Sequence, residues 1–308
     1  MDPRTLTALE FDALKNLIAP FIRTPLGHRA LGALGPCWDA AEIAKRKTLS
    51  SEAMRHHLDG GRLGPGGLED PGPILERLRP EGAVIEAIPI SRLVGVMQAA
   101  DDLRLSLAAS RQGWPHLWEV ASGIPDLRGA TRVIAGKIAA DGRLEDSASP
   151  DLARIRHRIV DLEARLERSL QSILERTAER GLLQDSFVTI RNGRFVIPVR
   201  AESRASVPGI VHGASGTGAT VFVEPMETLE PNNELVTLRD EELGEIHRLL
   251  AEWSELLRTR LAEIETACAR IGHLDLLGAV AVFGVNYRCT VAGDTRSSQL
   301  LLADARHP

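Results

Sequence analysis

Two stretches of this chain share one pattern: apolar residues recur every three or four positions, and charged residues fill most of the others. The first stretch begins at Ser149-Pro150, a pair typical of a helix start because Ser caps the helix and Pro fits its first position. Its apolar positions are Leu152, Ile155, Ile159, Leu162, Leu166, then Ser169 or Leu170, and Ile173. The second stretch has them at Leu243, Ile246, Leu250, Trp253, Leu257 and Ile264. This spacing predicts two long helices that pair antiparallel as a coiled coil, the first of them about 45 Å long.

Between the two predicted helices, β-branched and aromatic runs replace the helical spacing. Asn192-Gly193 separates one pair of runs, and this dipeptide favours a two-residue type I′ turn because both positions need a positive φ. A Gly-rich segment separates a second pair. The paired runs are 187–191 with 194–199, and 209–212 with 219–224. We therefore expect a small β-rich module built from two hairpins.

Helical spacing dominates the rest of the chain. Residues 5–58 predict two helices, 73–145 several short ones and 274–285 an apolar one, with a Gly- and Pro-rich connector at 60–72. The predicted fold is mainly α (α+β): a helical core with a long antiparallel coiled-coil lever that carries a small β-rich clamp at its tip. The expected regions are 1–148 and 267–303 for the two parts of the core, 149–183 and 227–266 for the incoming and outgoing lever helices, 184–226 for the clamp, and 304–308 for the start of a missing domain.

Composition narrows the class of protein. At 308 residues, with 44% hydrophobic and 26% charged residues, the chain resembles a globular protein with room for two domains. It has no run of ~18 apolar residues and no apolar leader, so we expect no membrane partner and no signal peptide. Its three cysteines are far apart and form no CxxC pair, which favours a cytoplasmic location with reduced thiols.

The β-rich module is basic, although the whole chain carries a net charge of −5. Between residues 187 and 224, four arginines stand against Glu202 and Glu224. Local basicity points to a polyanion such as nucleic acid, but arginines on strand edges also serve to prevent edge-to-edge aggregation. The residue types alone leave both interpretations open. The candidate nucleic-acid-binding residues are Arg191, Asn192, Arg194, Arg200 and Arg204.

Patterns that would indicate an enzyme are incomplete. Gly213-x-Ser215-x-Thr217 lacks the final Gly of a nucleophile elbow and falls in a hairpin loop. His56 and His57 are adjacent, so they diverge on a helix and do not have metal-ligand spacing. The sequence contains no GxxxxGK[ST] phosphate loop. We therefore expect no catalytic residue, cofactor or metal within these 308 residues.

Eight strings of residues along the chain carry a resemblance to a known family. They are Leu9-Glu10-Phe11-Asp12, Thr24-Pro25-Leu26-Gly27, the runs 78–83, 146–156, 189–199 and 208–212, Glu224-Pro225-Met226, and Arg306-His307-Pro308. Together they resemble the core, lever and clamp of the MutS family of DNA-handling ATPases, and its type-two branch most closely. Phe222-Val223-Glu224 matches a Phe-x-Glu string but lies in a predicted clamp strand, so we do not assign it the mismatch-wedge role.

The resemblance implies a function for the chain and for a longer parent protein. The chain would be the part of a DNA repair or recombination-control ATPase that grips duplex or branched DNA. The parent would be a bacterial cytoplasmic homodimer, associated with the nucleoid or ribosome, that binds ATP and Mg in a missing domain and in some members carries an Smr endonuclease domain. Two alternatives stay open: a ribosome- and rRNA-binding arm of a factor that rescues collided ribosomes, and a structural coiled-coil module without a nucleic-acid partner.

Overall fold

The computed structural model describes residues 3–183, 187–293 and 305, and these form two compact units. The helical unit comprises residues 1–142 and 251–308, and the strand-bearing unit comprises residues 143–250. The mainly α fold with one small antiparallel sheet is confirmed. The predicted start of a further domain at 304–308 lies outside the described residues, Ala305 excepted, as do residues 184–186 of the predicted clamp.

The helical unit is built around a long apolar helix, α11 (Leu261–Asn286). The other helices of this unit are α1 (Pro3–Ala8), α2 (Phe11–Ile18), α3 (Pro25–Ala33), α4 (Ala40–Leu58), α5 (Gly72–Leu78), α6 (Ala87–Ala109), α7 (Pro115–Ser122) and α8 (Arg128–Ile134). Of these, α3, α4, α6 and α7 pack against α11. The prediction of short helices in 73–145 was wrong at α6, which is 23 residues long. The only Pro of this helix is in its first turn, where a missing backbone N–H does not interrupt the helix.

Helix α11 is long and apolar enough to cross a membrane by length and composition, which the sequence prediction did not recognise. Most of its apolar window, 61%, is buried inside the helical unit. Ile264, Ile271 and Leu274 have no exposed surface. Core packing therefore accounts for its composition.

In the strand-bearing unit, α9 (Pro150–Glu179) has the predicted start and the predicted apolar stripe. The Ser149 side chain accepts a hydrogen bond from the backbone N–H of Leu152 at 3.0 Å, which confirms the cap. The stripe is buried, and Leu170 rather than Ser169 continues it. Its buried members are Leu152, Ile155, Ile159, Leu162, Leu166, Leu170 and Ile173.

The partner helix, α10 (Leu229–Arg258), runs antiparallel to α9, as predicted. Arg156 near the start of α9 pairs with Glu242, and Glu163, about two turns further on, pairs with Arg239. The predicted stripe of α10 was partly wrong, because Leu243 is 64% exposed while Leu235, Leu238 and Leu249 are buried. Trp253 and Leu257 are buried as predicted, and Ile264 belongs to α11.

Four strands between α9 and α10 form one antiparallel sheet in the order β1-β2-β4-β3. The strands are β1 (Thr189–Arg191), β2 (Arg194–Arg200), β3 (Gly209–Ala214) and β4 (Thr220–Pro225). Asn192 and Gly193 both have positive φ, 50° and 75°, as a type I′ turn requires. The two predicted hairpins are therefore confirmed, and pairing of β2 with β4 joins them.

Candidate nucleic-acid interface

One face of the sheet is buried against the helix pair. Alternate residues of β2, Phe195, Ile197 and Val199, join a single hydrophobic cluster with Val223 of β4 and the α9 stripe. Because side chains of a strand alternate between faces, the even-numbered residues of β2 and β4 lie on the other face. Three arginines and one glutamate of the strands lie on that other face: Arg191 in β1, its partner Arg194 and Arg200 in β2, and Glu224 in β4.

An asparagine of α10 anchors the sheet to the helix pair. The Asn232 side chain accepts a hydrogen bond from the Phe195 N–H at 2.9 Å and donates one to the Phe195 carbonyl at 3.1 Å. These are the two bonds that a neighbouring strand would supply, and the pairing of β2 with β4 ends at Ile197, two residues before Phe195 is reached. Asn232 has no exposed surface, so the amide satisfies buried backbone groups that otherwise would be costly.

A buried carboxylate links three strands on the charged face. Glu224 has no exposed surface, and its two oxygens bind Arg194 of β2 at 2.9 Å and His212 of β3 at 2.5 Å. Arg194 also donates to the Asn233 side chain at 2.7 Å. Most of the charge of Arg194 is therefore balanced inside the protein, because a buried carboxylate needs such partners.

Arg191 is placed differently from Arg194. Its side chain is exposed, and its guanidinium lies over the Phe222 ring at 4.4 Å from the centroid. Among the residues that the structure describes, this guanidinium makes no hydrogen bond and no ion pair. The contact with the ring holds the guanidinium in place while leaving its N–H donors available to a ligand. Asn192, the next residue, is also exposed.

The two remaining candidates lie at the other end of β2 and beyond it. Arg200 is exposed, and its Nε donates to the Leu183 carbonyl at 3.1 Å. Arg204, in a short 3-10 helix (Ala201–Ser206), donates to the carbonyls of Val207 at 2.9 Å and Gly209 at 2.5 Å. Arg204 therefore stabilises its own loop, whereas the two terminal nitrogens of Arg200 have no partner within the part of the chain that the structure describes.

The first hairpin turn lies alongside the helix pair. Arg239 of α10 donates to the Gly193 carbonyl at 3.0 Å and to Glu163 at 2.8 Å. Glu163 is near the middle of α9, so the turn is beside the middle of this helix. Its position is set by a contact between residues 46 apart in sequence.

Two further arginines, which the sequence analysis did not single out, lie at the C-terminal end of α9. Arg176 and Arg180 line a small cavity together with Ser206 and Pro208. Arg176 pairs with Glu227 at 2.9 Å, whereas Arg180 is exposed and unpaired among the described residues. The sequence did not distinguish them from the other arginines of α9, because they are set apart only by the segment between β2 and β3, which the fold places beside them.

The described part of the chain offers hydrogen-bond donors at this face but no cluster of metal ligands. No group of three or more His, Cys, Asp or Glu residues with metal-binding geometry occurs among the described residues. His212 is bound to Glu224, and the Ser215 hydroxyl accepts the Thr220 N–H at 3.2 Å. The Ser and His of the Gly-rich loop therefore serve the hairpin and do not bond to each other.

Comparisons with known proteins place this chain in a family. No family model matches it. It is 33% identical over its full length to the Endonuclease MutS2 of Symbiobacterium thermophilum, and covers 38% of that protein. It is 33% identical over 91% of its length to that of Pelotomaculum thermopropionicum, covering 36%, and 31% identical over its full length to that of Streptococcus agalactiae, covering 39%. The chain thus spans well under half the length of the curated relatives it matches, and it belongs to the MutS2 family.

Proposed function

We propose that the strand-bearing unit, residues 143–250, is a lever and clamp that grips duplex or branched DNA without reading its sequence. Family membership supports a nucleic-acid partner, because the relatives are named endonucleases. The observation that carries the proposal is the state of Arg191, which is exposed, held over Phe222 and free of any ion pair with the described residues.

Phosphates are the part of DNA that such arginines would contact. A guanidinium with free N–H donors matches the geometry of a phosphate and carries no information on the base. Arg191, Arg200 and Arg180 all present exposed guanidiniums with donors that have no partner among the described residues. Arg194 and Arg204, by contrast, donate to protein oxygens. We therefore expect two or three phosphate contacts from each clamp, and a supporting rather than a contacting role for Arg194 and Arg204.

The longer protein would supply the chemistry. We propose that ATP and Mg bind outside these 308 residues, that the parent acts as a homodimer, and that cleavage of nucleic acid, where it occurs, belongs to another part of the parent. Such a protein would work in the bacterial cytoplasm on the nucleoid or on ribosomes. These statements follow from the family and not from any residue of this chain.

Binding measured side by side on three partners tests the proposal. A duplex, a four-way junction and purified ribosomes would be titrated with the chain at several salt concentrations. We expect DNA binding that is equal for unrelated sequences and a plot of log K against log salt with a slope of about −0.9 per phosphate, or roughly −2 to −3 in total.

Other outcomes of these titrations would support a different function. Much tighter binding to ribosomes than to either DNA would favour the rRNA-binding alternative, which uses the same phosphate chemistry. Absence of salt-dependent binding to all three partners would leave a structural helix pair, and the proposal would fail. If the Arg191→Ala variant binds DNA as tightly as the wild type, the DNA-binding surface is not on the sheet.

A further inference from the structure

The sheet of the strand-bearing unit has two outer edges, β1 and β3, and they differ in how open they are to a further strand. The register of β3 against β4 shifts near Gly213, which has a φ of 143°, and the Gly209 carbonyl of β3 accepts a hydrogen bond from Arg204 at 2.5 Å. Such features protect a sheet edge from pairing. Within the described residues, β1 pairs regularly with β2, and its one charged side chain, Arg191, lies over Phe222 on the charged face. The edge at β1 is therefore the open one.

The backbone groups that β1 turns outward belong to Ile190. Residue pairs across an antiparallel ladder alternate between those that exchange backbone hydrogen bonds and those that do not. Both backbone groups of Phe195 bond to Asn232, on the side of β2 away from β1, and Phe195 lies opposite Ile190. The N–H and C=O of Ile190 therefore point away from β2, and neither has a partner among the described residues. The edge thus offers one donor and one acceptor to a further strand.

An apolar groove of about 860 Å³ lies beside this open edge, between β1 and α9. Val188, Ile190 and Phe195 line it, and Phe187 adds a ring that is 48% exposed. Ile190 itself is 46% exposed. A strand paired with β1 would bond to the backbone of Ile190 and place alternate side chains in the groove, as in peptide recognition by strand addition. The chemistry that fits both features is an extended polypeptide with apolar residues at alternate positions.

We propose that this polypeptide is β1 of a second copy of the chain, paired antiparallel with the first. Antiparallel pairing of identical strands is two-fold symmetric, so each copy offers the donor, the acceptor and the apolar side chains that the other lacks. The groove rim fits the same symmetry. Glu167 has no partner among the described residues, and the one bond of the Arg168 guanidinium to them is from Nε to the Ala164 carbonyl at 3.1 Å. One negative and one positive charge on each copy let opposite charges meet across the two-fold axis, whereas a strongly charged peptide would be repelled by one of them.

This pairing leaves the residues proposed to bind DNA uncovered. Arg191 lies on the opposite face of β1 from Ile190, and sheets joined edge to edge through antiparallel strands keep their corresponding faces on the same side. The pairing is compatible with the proposed function and does not rest on it. It also assigns a surface within this chain, which the homodimer proposed for the parent protein lacks. Because β1 has only three residues, we expect a small and weak interface.

Sedimentation equilibrium of the chain without DNA, over about 1–200 µM, tests the proposal. We expect a monomer–dimer equilibrium with a Kd of roughly 1–100 µM. Ile190→Lys should raise that Kd tenfold or more, because a lysine on a strand edge opposes pairing. Ile210→Lys is the matched control, since Ile210 is on the other edge of the sheet and is 48% exposed, and it should leave the Kd unchanged. A thermal unfolding curve for each variant checks that the fold is kept.

Hydrogen exchange supplies a second measurement that needs no variant. The Ile190 amide should exchange more slowly as the concentration of the chain rises through the Kd, because its N–H becomes bonded to the partner copy. The amides of β3, on the other edge, should exchange at a rate that does not depend on concentration.

Four results would overturn the proposal. The first is a monomer at every concentration up to ~200 µM, which would leave the edge to a strand of another protein. The second is a dimer that Ile190→Lys does not weaken, and the third is equal weakening by Ile190→Lys and Ile210→Lys. The fourth is exchange of the Ile190 amide at the same rate at all concentrations. Because DNA is absent throughout, none of these results bears on DNA binding by the strand-bearing unit.

Discussion

Arg194 of β2 and Glu224 of β4 form an ion pair in which Nη1 and Oε1 are 2.9 Å apart and the carboxylate has no exposed surface. His212 binds the second oxygen of the same carboxylate, so the pair ties both hairpins into one sheet. The same contact explains why the basic residues of the sheet are not equivalent. Arg194 is committed to the protein, whereas Arg191, its neighbour across the turn, is available to a partner.

Replacing Glu224 with Ala should destabilise the chain by about 3 kcal/mol. Removal of one member of a buried pair leaves the other charge without a partner, and here both Arg194 and His212 would lose theirs. Chemical denaturation, followed by circular dichroism, measures the change. The control is Glu202→Ala on the adjacent 3-10 helix, which is exposed and unpaired among the described residues and should cost no more than about 0.5 kcal/mol. Equal costs at both positions would show that the Glu224 network adds nothing to stability.

Replacing Leu162 with Ala should cost about 2–5 kcal/mol, because this side chain is 3% exposed within the cluster formed by α9, α10 and the sheet. Val160, two residues earlier, is 61% exposed, and Val160→Ala should change the free energy of unfolding by no more than about 0.5 kcal/mol. Glu163, the next residue after Leu162, would be a poorer control, since it pairs with Arg239 and its loss should cost about 0.2–1 kcal/mol. A larger loss at Val160 than at Leu162 would contradict the observed orientation of α9.

Replacing Arg191 with Ala should weaken DNA binding equally on all sequences and flatten the salt slope by about 0.9, the value for one phosphate contact. Stability should hardly change, because the side chain is exposed. Arg154→Ala is the matched control, since Arg154 is also exposed in the same unit but is paired with Asp151 at 2.8 Å. If Arg154→Ala lowers the affinity and the slope as much as Arg191→Ala does, the effect is one of net charge and not of the sheet.

Stability should fall in acid through Glu245. Hydrogen bonds from Arg248, and a further one from Ser149, lower the pKa of Glu245 to about 2. A pKa lowered in the folded chain means that the stabilisation is complete above the unfolded value of 4.5 and is lost as the pH falls toward 2. We expect about 1–2 kcal/mol, because Arg248 is half exposed and solvent screens it.

The test compares Glu245→Gln with the wild type in unfolding experiments from pH 6 to pH 2. The variant should be less stable above pH 5, and the difference should shrink in acid. Glu179→Gln, at an exposed position of α9 without a partner among the described residues, should run parallel to the wild type throughout. A pH-independent difference between Glu245→Gln and the wild type would rule out this account.

The chain alone should hydrolyse neither ATP nor DNA. Its sequence contains no phosphate loop, and the described residues hold no metal-binding cluster of acidic, His or Cys side chains. Release of phosphate from ATP and nicking of a supercoiled plasmid with Mg²⁺ are the measurements. Turnover that survives purification and is abolished by a single substitution within the chain would refute the expectation.

Local rules were enough to predict the elements of the strand-bearing unit. Ser149 before Pro150 starts α9, because a hydroxyl satisfies a backbone N–H that the first turn leaves without a partner. Asn192-Gly193 makes the hairpin turn, because these two residues tolerate a positive φ. Each depends only on neighbours in sequence, and the structure confirms each. The long stripe of α9 was readable for the same reason, since it repeats over many turns.

The stripe of α10 could not be read in the same way, because its inner face is partly polar. Glu242 and Glu245 lie there: Glu242 binds Arg156 of α9, and Glu245 binds Ser149, the residue that caps α9. The search for apolar residues at helical spacing therefore assigned Leu243 to the inner face, although this residue is exposed. Whether a glutamate faces inward is decided by what the partner helix offers it, and that information is about 90 residues away in the chain.

The same distinction between local and long-range information applies to the candidate nucleic-acid interface. The sequence by itself determined the fold class, the helix pair, the two hairpins and the basic character of the segment between the helices. Which arginines are available was decided by tertiary structure alone. Glu224, 30 residues from Arg194, takes up its charge, and Phe222 holds Arg191 with its donors free. Charge is a property of composition, but its availability depends on which groups the fold brings within hydrogen-bond distance.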